Sequence, residues 1–194
     1  MERRQRTNGF SLYELVITMG LFALILTLGV PSFGAIVANH RLRVEVDKLF
    51  HAIHHARKAS VTRRRVVTIC PTVNGRDCGE SADWSTGWMM FVNVDRDWPA
   101  RREDDEPVLK WLKVHPRNRV VANRRSFSLR SVDLRATNGT LVFCDRAGRA
   151  RPRALVVSYT GRPRVAYEDR RGRPYSCLLY TSPSPRDLIA HLVC

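Results

Sequence analysis

The residues best equipped for chemistry in this chain are arginines. Arg146, Arg149, Arg151, Arg153, Arg162, Arg164, Arg170, Arg171 and Arg173 lie between Asp145 and Arg173, against only Asp145, Glu168 and Asp169. A guanidinium is a planar fork of donors that meets a phosphate with paired, charge-assisted hydrogen bonds. Such a segment suits a polyanion, held without regard to its sequence and released by salt as counterions return. Arg162 and Arg164 are spaced to share one face of a strand. Tyr159-Thr160-Gly161 reads as the turn of a hairpin. That hairpin would bring Arg149, Arg151 and Arg153, added on electrostatic grounds, toward the same positive surface. The alternative is a charged face that only keeps the domain soluble.

Other chemistry finds little support. There is no Gly-x-Ser-x-Gly, no His-Glu-x-x-His and no phosphate-cradling glycine loop, so an enzyme, a cofactor and a small-molecule substrate are not expected. His51, His54 and His55 have the spacing of a solvated helix face. Asp95, Asp97, Asp104, Asp105 and Glu106 lack the glycine and terminal bidentate Glu of a calcium loop and read as a solvated hairpin loop. Cys70 and Cys78 flank a short loop and are expected to form a disulfide; paired Cys-x-x-Cys metal spacing is absent. Cys144 would pair with Cys177 if the latter is native, and would otherwise be a buried thiol.

The elements that must carry these groups begin with a membrane-compatible run. No Asp, Glu, Lys or Arg occurs from Leu15 to His40. At about 1.5 Å of rise per residue such a helix crosses a hydrocarbon core roughly 30 Å thick. Residues 1–9 are short and basic through Arg3, Arg4 and Arg6, which places the amino terminus in the cytoplasm. A cleaved secretory signal fits less well, because Gly9 precedes the apolar run and the run is longer than a signal core. Gly29-Val30-Pro31-Ser32 predicts a kink in the helix rather than a stop. Beyond it, Val46, Leu49, Phe50, Ile53 and Ala56 recur at three- and four-residue spacing and predict an amphipathic half that packs on a domain. After Arg65 the chain turns to short β-rich runs. These predict strands at 66–70, 88–94, 108–114, 120–122, 126–129, 132–134, 140–144, 154–158 and 163–166, with a two-residue hairpin turn at Asn138-Gly139. The fold class expected is α+β, a long helix against an antiparallel, sandwich-like domain.

Glu14 is the anomaly in the apolar run, since a carboxylate there is costly in lipid and calls for a partner. Gly9, Phe10, Ser11, Leu12 and Glu14 together resemble the processing site of type IV pilins and type II secretion pseudopilins. The resemblance implies that prepilin peptidase cleaves between Gly9 and Phe10 and methylates Phe10. It also implies that Glu14 neutralises the Phe10 amine of a neighbouring subunit during assembly with other pilins or pseudopilins. Gly161-Arg162-Pro163-Arg164 resembles the Gly-Arg-x-Arg element of FimT-like minor pilins, which implies DNA binding during natural transformation. A GspH-type pseudopilin of type II secretion is the alternative within the superfamily, and an unrelated single-span membrane protein is the alternative outside it.

The organisation expected is a leader over 1–9, a transmembrane half-helix over 10–37, an amphipathic half over 38–65 and a β domain over 66–176. The protein would be a single-pass inner-membrane subunit with its domain in the periplasm. Residues 177–194, from Cys177-Leu178-Leu179-Tyr180-Thr181-Ser182-Pro183, resemble a translated sequencing-library adapter and are not expected to be biological. The formal charge is +15, and +13 without residues 1–9, which hold three Arg and one Glu; only four of the basic residues are Lys. A domain so basic suits nucleic acid, anionic lipid or an acidic protein partner.

Overall fold

The computed structural model describes residues 11–130 and 135–177, without the side chains of 28–32. Gly9, Phe10, the strand expected at 132–134 and the adapter-like residues after Cys177 lie outside the described residues. The chain divides into two units, Met1–Val37 and Ala38–Cys194.

Helix α1, Leu12–Arg63, supplies the described part of the first unit and opens the second. It continues past Gly29-Val30-Pro31-Ser32, as expected for a proline that does not end the helix. In the first unit the Leu15 N–H donates to the Ser11 carbonyl. The Thr18 and Thr27 hydroxyls donate to the Leu15 and Leu24 carbonyls, each at 2.9 Å. Those hydroxyls are thus satisfied within the helix, which lowers the penalty of removing them from water. Leu15, Phe22, Ile25 and Leu26 are exposed. Among the described residues no helix is long and apolar enough to cross a membrane; the run expected to do so includes 28–32.

In the second unit α1 buries Leu42, Val46, Leu49, Ile53 and Ala56, each at most 2% exposed. Their alternating four- and three-residue spacing draws one stripe along the helix. His51, His54 and His55 are exposed. The strands are β1 (Val66–Pro71), β2 (Gly87–Asn93), β3 (Val108–Lys113), β4 (Asn118–Ala122), β5 (Phe127–Leu129), β6 (Gly139–Asp145), β7 (Arg153–Val157) and β8 (Pro163–Ala166). They form two antiparallel four-stranded sheets, ordered β3-β2-β1-β5 and β4-β6-β7-β8. The main core joins the helix stripe to Val67, Ile69 and Met90 of the first sheet and to Leu141, Phe143 and Leu155 of the second, with Trp84 and Phe127 ring to ring at 5.6 Å.

Asn138-Gly139 is not the hairpin turn expected. Gly139 is the first residue of β6 and pairs with Val157, while β5 belongs to the other sheet. Its role is close approach: a Cβ there would stand 2.6 Å from Asn123 Oδ1 and 3.0 Å from Phe127 Cε1.

Two disulfides close the domain. Cys70 bonds Cys78, as expected, and Cys144 bonds Cys177. The second bridge brings Cys177, grouped in sequence with the adapter-like tail, onto the domain. There it packs with Tyr175 over Val142 and Ala154, on the face of the second sheet away from the main core.

The acidic loop between β2 and β3 is tied internally. Glu106 is buried, and its carboxylate accepts the Val94 N–H at 2.6 Å and the Glu103 N–H at 3.2 Å. Burial pushes this carboxyl above its ordinary range, against the pull of those two N–H groups. Asp97 accepts from the Asn93 amide and the Arg101 N–H.

Candidate functional site

The β7–β8 hairpin is built as the sequence implies. Ser158 donates its N–H to the Arg162 carbonyl at 3.1 Å, and its hydroxyl accepts the Arg162 N–H at 3.1 Å. Gly161 closes the turn through an N–H bond to the Ser158 carbonyl, with φ of 71°, a conformation that penalises any Cβ. Gly161 is also buried, and an added Cβ would meet Ala136 Cβ at 3.2 Å and Leu129 Cδ2 at 3.3 Å. The first position of the Gly-Arg-Pro-Arg element thus has a structural reason to be glycine.

Strand register decides where the arginines point. β8 pairs antiparallel with β7, with Val156 opposite Arg164 and Leu155 opposite Val165. Leu155 is in the main core, so Arg164 stands on the other face, and Arg162, opposite Ser158, follows it by the strand alternation. Both arginines are exposed, Arg164 on the edge strand β8 and Arg162 immediately before it, at the end of the turn. Among the described residues neither forms an ion pair with a carboxylate. Tyr175 stands near Arg164: burial pushes its phenol up, while Arg164 and Arg170 pull the other way.

The other expected members are not brought to this place. Arg149 and Arg151 lie in the β6–β7 connection, at the far end of a five-residue strand, roughly 16 Å from the turn at strand rise. Arg149 is partly engaged, its N–H donating to Asp145 at 3.0 Å and its guanidinium 4.0 Å from the same carboxylate. Asp145, with a fully buried side chain, also faces Arg41 at 3.8 Å. Arg153 sits on the core-side face of β7, with its guanidinium 5.7 Å from the Tyr167 ring centre. Arg173 pairs with Asp169 at 2.8 Å; its backbone N–H first, and then its guanidinium, hold that carboxyl below the usual range.

The sequence missed a second group on the other side of the same turn. Arg57 and Ser60 of α1, Arg130 after β5, Arg135, and Thr160-Gly161 line one shallow depression. Three segments distant in sequence meet there. The nearness of Arg130 to Arg135 in the chain was the only signal available, and nothing in the sequence linked either to Arg57. Glu14 is exposed in the first unit.

The profile of a family described as Type II transport protein GspH matches residues 45–161, more than half of the chain. The chain belongs to the GspH family. At the level of that family its function is that of a minor pilin or pseudopilin. No curated protein matches the chain. Solved structures similar to this GspH-family chain include the type IV minor pilin FimU of Pseudomonas aeruginosa, at 18% identity and TM-score 0.48, covering 70% of this chain and 98% of that one. The minor pseudopilin EpsH of the Vibrio cholerae Type 2 Secretion System is similar at 8% identity and TM-score 0.45, covering 65% and 96%.

Proposed function

We propose that this GspH-family subunit is a FimT-like minor pilin whose β7–β8 turn holds DNA during uptake for natural transformation. The observation that carries the reading is the pair Arg162 and Arg164, both exposed where the β7–β8 turn enters the edge strand and free of carboxylate partners among the described residues. Two arginines separated by one residue on extended backbone stand about 7 Å apart along the chain, a reach that lets them meet neighbouring phosphates of one DNA strand. Such contacts position a duplex without reading its bases. Before assembly, prepilin peptidase cuts between Gly9 and Phe10 and methylates Phe10, and the apolar run over 10–37 holds the subunit in the inner membrane. Glu14 then partners the Phe10 amine of a neighbouring pilin.

A second reading is a minor pseudopilin of type II secretion, favoured by the description of the matching family. In that case the same edge would meet another pseudopilin or a secreted protein. Two measurements separate the readings. The amino terminus of the mature subunit, read by mass spectrometry, should be methylated Phe10. Transformation frequency in the native host should fall on Arg162→Ala/Arg164→Ala with pilus assembly and protein secretion unchanged; a secretion defect with normal transformation would reverse the choice.

A further inference from the structure

The turn that presents Arg162 outward turns its Thr160-Gly161 side to the depression lined by Arg57, Ser60, Arg130 and Arg135. Short hydrogen bonds fix this arrangement. The Ala136 N–H donates to the Tyr159 carbonyl at 2.7 Å, and the Arg130 N–H to the Arg135 carbonyl at 2.9 Å. The Ser60 hydroxyl bridges the Leu129 and Arg65 carbonyls at 2.9 and 2.8 Å, tying the last turns of α1 to β5. Arg135 lies with its guanidinium 5.7 Å from the Tyr159 ring centre, against the turn itself. Among the described residues no acidic residue lines it, and none of the three arginines pairs with a carboxylate.

We infer that this depression is a second phosphodiester site, so that a nucleic-acid strand crosses the β7–β8 turn from Arg162 and Arg164 to Arg57, Arg130 and Arg135. The inference rests on the DNA-binding reading above. Arg57, Arg130 and Arg135 all line this surface, and none of them belongs to the buried core. The opposing field is that of the helix end, equivalent to about half a negative charge. Three full positive charges outweigh it, and the Ser60 hydroxyl already occupies the Arg65 carbonyl. The concave side also suits a strand that bends over the turn, whereas the exposed face of β8 alone offers a flat contact.

The test is fluorescence anisotropy of labelled duplex DNA with the full-length chain in non-ionic detergent, over a salt series. Four proteins are compared: wild type; Arg57→Gln/Arg130→Gln/Arg135→Gln; Arg162→Ala/Arg164→Ala; and a charge-matched control, Arg76→Gln/Lys110→Gln/Lys113→Gln. The control residues lie on β3, at the sheet edge opposite β5, and in the β1–β2 connection. Each phosphate that a variant no longer neutralises should reduce the slope of log K against log salt by about one. The inference predicts a slope shallower by about two to three in the depression variant, with the control unchanged. Arg130→Gln/Arg135→Gln, at two exposed positions, repeats the test without touching the helix and should lower the slope by about two. Loss of binding in the Arg162/Arg164 variant with the depression variants matching wild type would overturn the second site and leave the proposed function standing. Wild type failing to bind DNA would overturn both. Equal losses in the depression and control variants would overturn the second site, because the charge would then be merely additive. If the depression variants bind DNA as wild type does but bind vesicles of phosphatidylglycerol more weakly, the depression belongs to lipid and the inference is overturned.

Discussion

Replacing Gly161 by alanine separates two demands that this turn makes on one residue. The first is conformational: at φ of 71° a Cβ costs about 1–2 kcal/mol, partly offset by about 0.4–1 kcal/mol because alanine has less freedom to lose from the unfolded chain. The second is space, since the new methyl would stand 3.2 Å from Ala136 Cβ and 3.3 Å from Leu129 Cδ2. Ala136 cannot yield without its backbone, which is held by the bond to Tyr159, and Leu129 is buried, so about 1–3 kcal/mol of overpacking is added. Gly148 is the internal control: its φ is 69° but an added Cβ meets nothing within 4 Å. Gly148→Ala should therefore destabilise by only about 0.5–1 kcal/mol, and Gly161→Ala by about 2–4 kcal/mol. Urea titration followed by fluorescence of the buried Trp84 and Trp88 measures both, with equal slopes required for the comparison. Equal losses in the two variants would refute the packing argument, and a neutral Gly161→Ala would refute the turn itself.

Other parts of the domain give further predictions. Asp145→Ala leaves Arg41 half-enclosed without its carboxylate and removes the acceptor of the Arg149 N–H; a loss of about 3 kcal/mol is expected in urea titration, at the lower end for a broken buried pair because both ion contacts are long. Chain entropy ranks the disulfides: removing Cys144–Cys177, with 33 residues of separation, should cost about 4 kcal/mol, and removing Cys70–Cys78, with 8, about 2.5 kcal/mol, so a reversed order in the two double-alanine variants would contradict the ranking. Glu106 has a pKa raised by folding, so the native state holds its proton to higher pH than the unfolded chain does. Its contribution to stability is therefore greatest at acid pH and declines as pH rises from the ordinary carboxylate range through the raised folded value; that decline, read from denaturation midpoints over pH, should be shallower in Glu106→Gln.

The helix stripe and eight of the strands were legible because their signals are local. Val46, Leu49, Ile53 and Ala56 recur at helical spacing and are buried, and the β runs are short, apolar and bounded by turn residues. Asn138-Gly139 misled because glycine has two uses, positive φ and close approach, and sequence does not distinguish them; here the nearness of Asn123 and Phe127 required it. Glu106 stood out only as one of a run of acids, yet its burial follows from a loop that folds back so that Val94 and Glu103 donate to it. The candidate site was half legible. Alternation put Arg162 and Arg164 on one face, but a residue count cannot show that β7 separates them from Arg149 and Arg151, or that its pleat turns Arg153 toward the opposite face. Arg57, Arg130 and Arg135 were illegible as a group, since only the meeting of α1, β5 and the β7–β8 turn assembles them.

The most direct test of the central claim is the salt dependence of duplex DNA binding by the full-length chain, with Arg162→Ala/Arg164→Ala set beside Arg149→Ala/Arg151→Ala. The first variant should lose most of the affinity at moderate salt and about two from the slope of log K against log salt, while the second should stay near wild type. Equal losses in the two variants, or no binding by the wild type, would contradict it.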